Sequence, residues 1–252
     1  MTGDTLPPAR IRDTAVLVVA KAPAPGVVKT RLALTVGDRF AAELAAAALL
    51  DTIEVCAAAF DTCLLALTGE LAEAARGDEL VAALSGWSVF GQRGDGLGER
   101  LVNAHGDAAR RSRRPVLQVG MDTPQMGRDQ LSELAGMLSG QDCDAVLGPA
   151  DDGGWWLLGV TAPALVEGLA SVPMSSGRTC AETLRMLHGN GASVLFGPQL
   201  RDVDVVGDAV AVSRDFPHLE FAARWAASRP ASRSDPRSAV RRGPRLATEA
   251  AR

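Results

Sequence analysis

The sequence predicts an α/β fold in which a mostly parallel central sheet is covered by helices. Three observations lead there. From Thr14 onward, short apolar runs rich in β-branched residues alternate with longer amphipathic stretches, the pattern of strands joined by crossover helices. The chain has 252 residues, 47% of them hydrophobic, enough to bury one large core. The first apolar run also leads straight into a loop carrying glycine and lysine, at the carboxyl end of a strand where open α/β sheets bind their ligands.

Taken in order, residues 15–20 (AVLVVA) read as a buried strand, followed by a loop through Leu32 and an alanine-rich helix over 38–60. Residues 63–68 (CLLALT) form the second strand, and 70–84 supply helix with a break at Gly77. A short strand at 87–90 precedes a glycine-bearing loop, and 97–112 is the next helix. Strand 115–120 (PVLQVG), helix 128–138 and strand 145–148 follow, and 155–160 (WWLLGV) is extended. Residues 181–187 are helical, 193–196 extended, and 216–227 form the last helix. The reading is one domain over 14–227, with 1–13 as an N-terminal extension. Residues 228–252 are rich in Arg, Ser and Pro and nearly free of large apolar side chains, so they are expected to be a disordered basic tail.

Charge narrows the partners. The net charge is −4, and seven arginines against Asp235 and Glu249 put +5 on 228–252, leaving −9 on the rest. Such a body is a poor nucleic-acid binder, because phosphate backbones are held by clustered positive charge. It would hold a small anion through a few local cations. Residues 1–13 lack the layout of a signal peptide and no apolar run reaches membrane-spanning length, so the expected location is cytoplasmic. Cys56, Cys63, Cys143 and Cys180 form no CxxC pair and no zinc spacing with His105, His188 or His218, which predicts free thiols.

The loop after the first strand, AKAPAPGVVKTRL, concentrates candidate binding residues. Gly26 lets the backbone approach a ligand, while Pro23 and Pro25 stiffen the segment. Lys21, Lys29 and Arg31 place three cations within eleven residues, and Lys21 and Lys29 are the only lysines in a chain that otherwise uses Arg. A compact ammonium serves as a point charge on phosphate oxygens, so the loop suits a di- or triphosphate. It matches neither a Walker loop nor GxGxxG, and a solvated turn is the plain alternative.

Three acidic stretches supply candidate metal ligands. Asp122 in GMDTP follows strand 115–120, where a turn or helix cap is the plain alternative. Asp151 and Asp152 precede Gly153 and Gly154 in GPADDGGWWLLGV, which alternatively reads as an Asp-Gly hairpin. In LRDVDVVGD, alternation puts Asp202 and Asp204 on one side, with Asp208 beyond. Magnesium takes one or two carboxylates plus phosphates and water, so Asp122 with Asp204 would form such a site, with Lys29 and Arg31 sharing the charge.

Other features are weaker. GQRGDGLGERL brings Gln92, Gly98 and Arg100 as candidates to cradle a base or sugar, with a flexible connector the alternative. Trp155 and Trp156 read as core or as a sugar-stacking wall, and Ser175, Ser176 or Thr179 in PMSSGRT as a helix N-cap.

Together AKAPAPGVVKTRL, QRGDGLGERL, GMDTP, GPADDGGWWLLGV and DVD resemble the bacterial selenodomain-associated transferase 1 family, within the nucleotide-diphospho-sugar transferase (GT-A) superfamily. The similarity runs from about Thr14 to Phe216. It implies a Rossmann-like, three-layer GT-A sandwich, a nucleotide over the first loop, and magnesium or manganese held by the acidic motifs. Lys21, Gly26, Lys29 and Arg31 match the family's KxPxxGxxKTRL loop. Asp122 matches the aspartate of GxDxP, and Asp152 the aspartate before the double glycine. This chain departs from the pattern in Trp155 where Tyr is common, in a rearranged GDGLG loop, and in lacking Thr-Pro after DVD.

The reading is a metal-dependent transferase acting on a nucleotide or nucleotide-sugar and a small-molecule acceptor, with Lys29, Arg31 and Asp152 as catalytic candidates. A glycosyltransferase using a nucleotide-diphospho-sugar is favoured by the resemblance. The alternative is a nucleotidylyltransferase that joins a nucleotide to a small phosphorylated acceptor and releases pyrophosphate. A non-catalytic nucleotide-binding module ranks last, since it has no use for Asp122, Asp152 and Asp204.

Overall fold

The computed structural model describes residues 10–140 and 142–227; the expected tail 228–252 and most of the expected extension 1–13 lie outside the described residues. Seven strands, β1 (Ala15–Lys21), β2 (Cys63–Thr68), β3 (Ser88–Gly91), β4 (Val116–Gly120), β5 (Ala145–Pro149), β6 (Trp155–Val160) and β7 (Val194–Phe196), form one sheet in the order β3-β2-β1-β4-β6-β5-β7. All pairings are parallel except those of β6, which runs antiparallel to both β4 and β5. This is the expected α/β architecture. Central strand β1 is buried over most of its length, because helices cover both of its faces.

The helices are α1 (Thr30–Val36), α2 (Asp38–Ala59), α3 (Gly77–Ala83), α4 (Gly96–Ser112), α5 (Arg128–Ser139), α6 (Thr179–Gly189), α7 (Val206–Asp215) and α8 (Glu220–Ala227), with 3-10 turns at Leu71–Glu73 and Pro163–Ser171. One face of the sheet packs on α2 and α5 through Val16, Val18, Leu117, Val119 and Leu131. The other face, with Leu17, Leu64 and Val116, packs on α4. The result is three layers. A third cluster joins α1, α2, α7 and α8 around Leu32, Leu44, Val203 and Phe221. Alanines at 41, 42, 45, 46, 47 and 48 let α2 sit buried between the sheet and α8, as a helix apolar on most of its circumference should.

Several boundaries differ from the sequence reading. Helix α1 begins at Thr30, inside the segment expected to be loop through Leu32. The expected last helix 216–227 is the shorter α8, and α7 precedes it. Gly77 starts α3 instead of breaking a longer helix, and any Cβ there would overlap the Leu71 carbonyl oxygen. Trp156 is core, 2% exposed, with its indole N–H donating to the Pro198 carbonyl oxygen.

Candidate active site

The strand ends build the site. β1, β4 and β5 finish on one rim of the sheet, and because β6 runs backwards it starts on that same rim. The loops after β1 and β4, the β5–β6 turn and the segment after β7 therefore meet there. The last of these is docked by backbone: Val203 N–H donates to the Asp122 carbonyl oxygen at 2.9 Å, and Leu200 bridges Ala150. Asp208, in the first turn of α7, accepts the N–H groups of Asp204 and Val205 at 3.1 and 3.0 Å. That fixes the chain carrying Asp204.

Lys29 occupies the junction. It takes the left-handed conformation, φ 49°, immediately before α1, and its side chain is only 6% exposed. The ammonium pairs with Asp122 and lies 3.3 Å from Asp204. Burial opposes its charge, but the two carboxylates outweigh burial and hold its pKa above the ordinary lysine value. Arg31 reaches Asp204 at 3.8 Å from a largely exposed position. The distant cation and acid motifs thus converge on one spot.

Three adjoining cavities share Asp122 and Met121. A cation cavity of about 290 Å³ is lined by Lys21, Lys29, Thr30 and Arg31. An amide cavity of about 270 Å³ is lined by Lys21, Thr68, Gln92 and Arg100. Gln92 spends its amide N–H groups on the Ala20 and Ala66 carbonyl oxygens at 2.8 and 2.9 Å, which leaves its oxygen as an acceptor; the Arg100 Nε is buried without a partner. An acid cavity of about 290 Å³ is faced by Asp122, Asp152, Asp202 and Asp204.

Other candidates lie elsewhere. Pro23 is buried and its carbonyl oxygen accepts from Ala75 N–H at 2.9 Å, so it lines none of the three cavities. Gly26 sits in the exposed turn with φ 75°. Gly98 packs α4 against the 3-10 turn, where a Cβ would overlap Leu169. Asp152 lines the acid cavity while its Oδ1 accepts from Gly154 N–H at 2.7 Å. The N-cap of α6 is Arg178, with no side-chain cap; instead Thr179 Oγ1 donates to the Pro173 carbonyl oxygen at 2.8 Å, and Ser175, Ser176 and Thr179 line the acid cavity. Sequence reasoning had not singled out Gln118, a polar residue in the middle of a buried strand, which forms part of that cavity's floor.

Among the described residues, no three His, Cys, Asp or Glu side chains close into a ready-made metal cage. The donor set nevertheless suits magnesium or manganese in their usual mode, one or two carboxylates completed by phosphate and water. Four carboxylates, Asp122, Asp152, Asp202 and Asp204, face one cavity that no Lys or Arg lines among the described residues. Burial first, and then the neighbouring Asp122, Asp152 and Asp204 against the pull of Lys29, push the Asp202 carboxyl up to about 7. Asp122 and Asp204 could hold such an ion.

A family model described as an uncharacterized protein conserved in bacteria (DUF2064) matches residues 30–176. The chain belongs to this family. No curated protein matches it. Among solved structures, a candidate nucleotide-diphospho-sugar transferase from Desulfovibrio desulfuricans G20 superposes with a TM-score of 0.75 at 26% identity, covering 86% of this chain and 95% of that one. CMP:2-keto-3-deoxy-manno-octonic acid synthetase complexed with CTP matches at 0.51 and 12% identity, covering 82% and 99%. A cytidylyltransferase from Leptospira borgpetersenii matches at 0.50 and 16%, covering 86% and 94%. The last two likenesses concern the fold alone. This family member thus has the Rossmann-like fold of the nucleotide-diphospho-sugar transferases, and no helix among its described residues is long and apolar enough to cross a membrane.

Proposed function

We propose that this chain is a metal-dependent, cytoplasmic glycosyltransferase that takes a sugar from a nucleotide-diphospho-sugar. One observation carries the reading: Lys29, in the cation cavity, pairs with Asp122 and Asp204, which also face the acid cavity. A diphosphate laid between the two cavities meets Lys21, Lys29 and Arg31 on one side and a cation-hungry acid cluster on the other. The likeness at 26% identity to a candidate nucleotide-diphospho-sugar transferase agrees with this, as do the motifs resembling selenodomain-associated transferase 1.

A divalent ion at Asp122 and Asp204 would neutralise charge on the departing diphosphate. The chain's own groups do the rest. Lys29, held rigidly by its two carboxylates, presents fixed positive charge to the phosphate oxygens at no reorganisation cost. Arg31 and Lys21, both on the solvent side, draw the anion into an otherwise acidic body. In the amide cavity, Gln92 offers an acceptor oxygen and Arg100 a donor to the nucleotide's base or ribose. Asp152, in the turn facing the acid cavity, is the base available to take a proton from an attacking hydroxyl.

The alternative, nucleotidyl transfer with release of pyrophosphate, uses the same cation cavity; the cytidylyltransferase likenesses bear only on fold. Incubation with magnesium and a panel of nucleoside triphosphates and nucleotide sugars separates the two. Release of nucleoside diphosphate from a nucleotide sugar is the expected result. Pyrophosphate release from a triphosphate would replace this reading, and tight binding without turnover would favour a non-catalytic module.

A further inference from the structure

The floor of the acid cavity contains a polar pair that the mechanism above does not use. Gln118 lies at the middle of β4, between Leu17 of β1 and Leu158 of β6, and is 2% exposed. Its neighbours on this face of the sheet are apolar. The Oε1 atom is buried with no hydrogen-bond partner, yet the residue lines the cavity. With the oxygen sealed inside, the amide nitrogen is the end left to face the cavity. His105 of α4, fully buried, lies near enough to the Gln118 side chain to feel its polarity, though neither of its nitrogens makes a hydrogen bond of ordinary geometry.

An unpaired buried polar atom costs free energy, and a protein seldom keeps several together without a use for them. Nothing in the packing here needs an amide. Val19, Leu97, Leu101 and Met121 line the same cavity, so an aliphatic side chain would suit its surroundings equally well. Four aspartates also line it, and among the described residues no Lys or Arg does. Beyond an ion held by Asp122 and Asp204 for the diphosphate, a second phosphate or a carboxylate would find no cationic side chain in the lining. The volume, about 290 Å³, lies at the small end of the range for ligand pockets.

We infer that Gln118 is a specificity-determining residue that donates its amide N–H to a hydroxyl of an uncharged sugar, with His105 as the positioning residue beside the amide. The inference rests on the glycosyl-transfer reading and deepens it: the sugar joined to the diphosphate enters the acid cavity, its hydroxyls turned to Gln118. The apolar side chains Leu97, Leu101 and Trp155 cover its C–H faces. With any ion at Asp122 and Asp204 taken up by the diphosphate, the lack of Lys and Arg in the lining selects a neutral sugar over a phosphorylated or acidic one. A buried donor that would otherwise be unpaired discriminates well, since a ligand lacking the matching oxygen leaves it stranded.

The test is calorimetric, on the full chain with magnesium, comparing UDP, GDP, ADP, CDP and TDP with their glucose and mannose esters. The wild type should bind at least one ester about tenfold or more tighter than its parent diphosphate. Gln118→Leu should remove that preference and leave the affinity for the diphosphate within about twofold. Gln118→Met serves as a second, flexible apolar replacement if the leucine does not fit. Neither should lower the melting temperature, because both relieve a buried unpaired oxygen. His105→Phe should shrink the same ratio, a readout that a purely structural role would not move. An unchanged ratio in both Gln118 variants would overturn the inference, as would diphosphate affinity that falls alongside it. A wild type that binds diphosphates without preferring any ester would overturn it too, with the transferase reading intact. Failure to bind any nucleotide would instead take down the function on which it rests.

Discussion

Val203 and Asp122 are joined by a 2.9 Å backbone hydrogen bond, from the Val203 N–H to the Asp122 carbonyl oxygen. The bond runs between residues 81 positions apart, and it is made by main chain, so it survives substitution of either side chain. It sets the spacing between Asp122 and Asp204, and Lys29 then inserts its ammonium between their carboxylates. The acid pair is held by backbone; only the cation depends on a side chain.

Lys29→Met should therefore leave the acid pair in place and uncompensated. Removing one partner of a buried pair costs several kcal/mol, but Asp122 and Asp204 are close to half exposed, which cuts the expected loss to about 1–3 kcal/mol by solvent screening. Added magnesium or manganese should restore part of the lost melting temperature. Nucleotide affinity should fall about tenfold or more. A variant that melts and binds like the wild type would show that Lys29 is idle.

Asp122→Asn and Asp204→Asn each take one of its two carboxylates from the buried Lys29 while easing like charge in the acid cluster. Each should therefore lower the melting temperature by less than Lys29→Met does. Each should reduce turnover about a hundredfold or more, the size of loss seen when one preorganised charge is taken from a reacting centre. Retained turnover in both, measured with saturating magnesium, would exclude them as metal ligands.

Gly98→Ala asks whether that glycine serves the nucleotide or the fold. Its added methyl would collide with the backbone carbonyl oxygen of Leu169 in the 3-10 turn, and such overpacking costs about 1–3 kcal/mol. The expected outcome is a lower melting temperature with nucleotide affinity within about twofold. The reverse, a normal melt with weakened binding, would return Gly98 to the binding site.

His105 gives stability a pH dependence. Burial, only partly opposed by Gln118, pushes its pKa down to about 4 from the ordinary histidine value of 6.5. Between these values the unfolded chain takes up a proton that the folded chain refuses, so this contribution is complete above about 6.5 and is lost as pH falls towards 4. The full shift corresponds to roughly 3 kcal/mol. Denaturant titrations at pH 7.5, 5.5 and 4.5 should show the wild type losing more stability than His105→Phe. Parallel losses would mean that the imidazole ionises freely in the fold.

Much of this was readable from sequence because it rests on periodicity and local chemistry. The buried run at β1 and the loop behind it need only neighbours in sequence, and so the position of Lys29 in the loop beyond that strand's carboxyl end was legible. That Asp122 and Asp204 share a site came from their place after predicted strands and from motif resemblance. What escaped detection depends on contacts across the chain. Helix α7 borrows its apolar face from α2 and α8, as Ala209 and Val212 pack with Leu44 and Phe221, and its own pattern is too short to announce it. Gln118 carried a signal, polarity at the centre of a buried strand, but its meaning depends on His105 from α4. Gly98 shows why one sequence is not enough: a glycine kept for close packing and one kept for a ligand look alike there, and its contact with Leu169 appears only in the fold.

The reversed strand β6 has a consequence for how such a protein can change. Its turn delivers Asp152 and Trp155 to the acid cavity, while the segments after β1 and β3 shape the cation and amide cavities. Drift in the five-residue reversal between β5 and β6 can reshape one cavity without touching the cations of the next, so one scaffold can vary piecemeal.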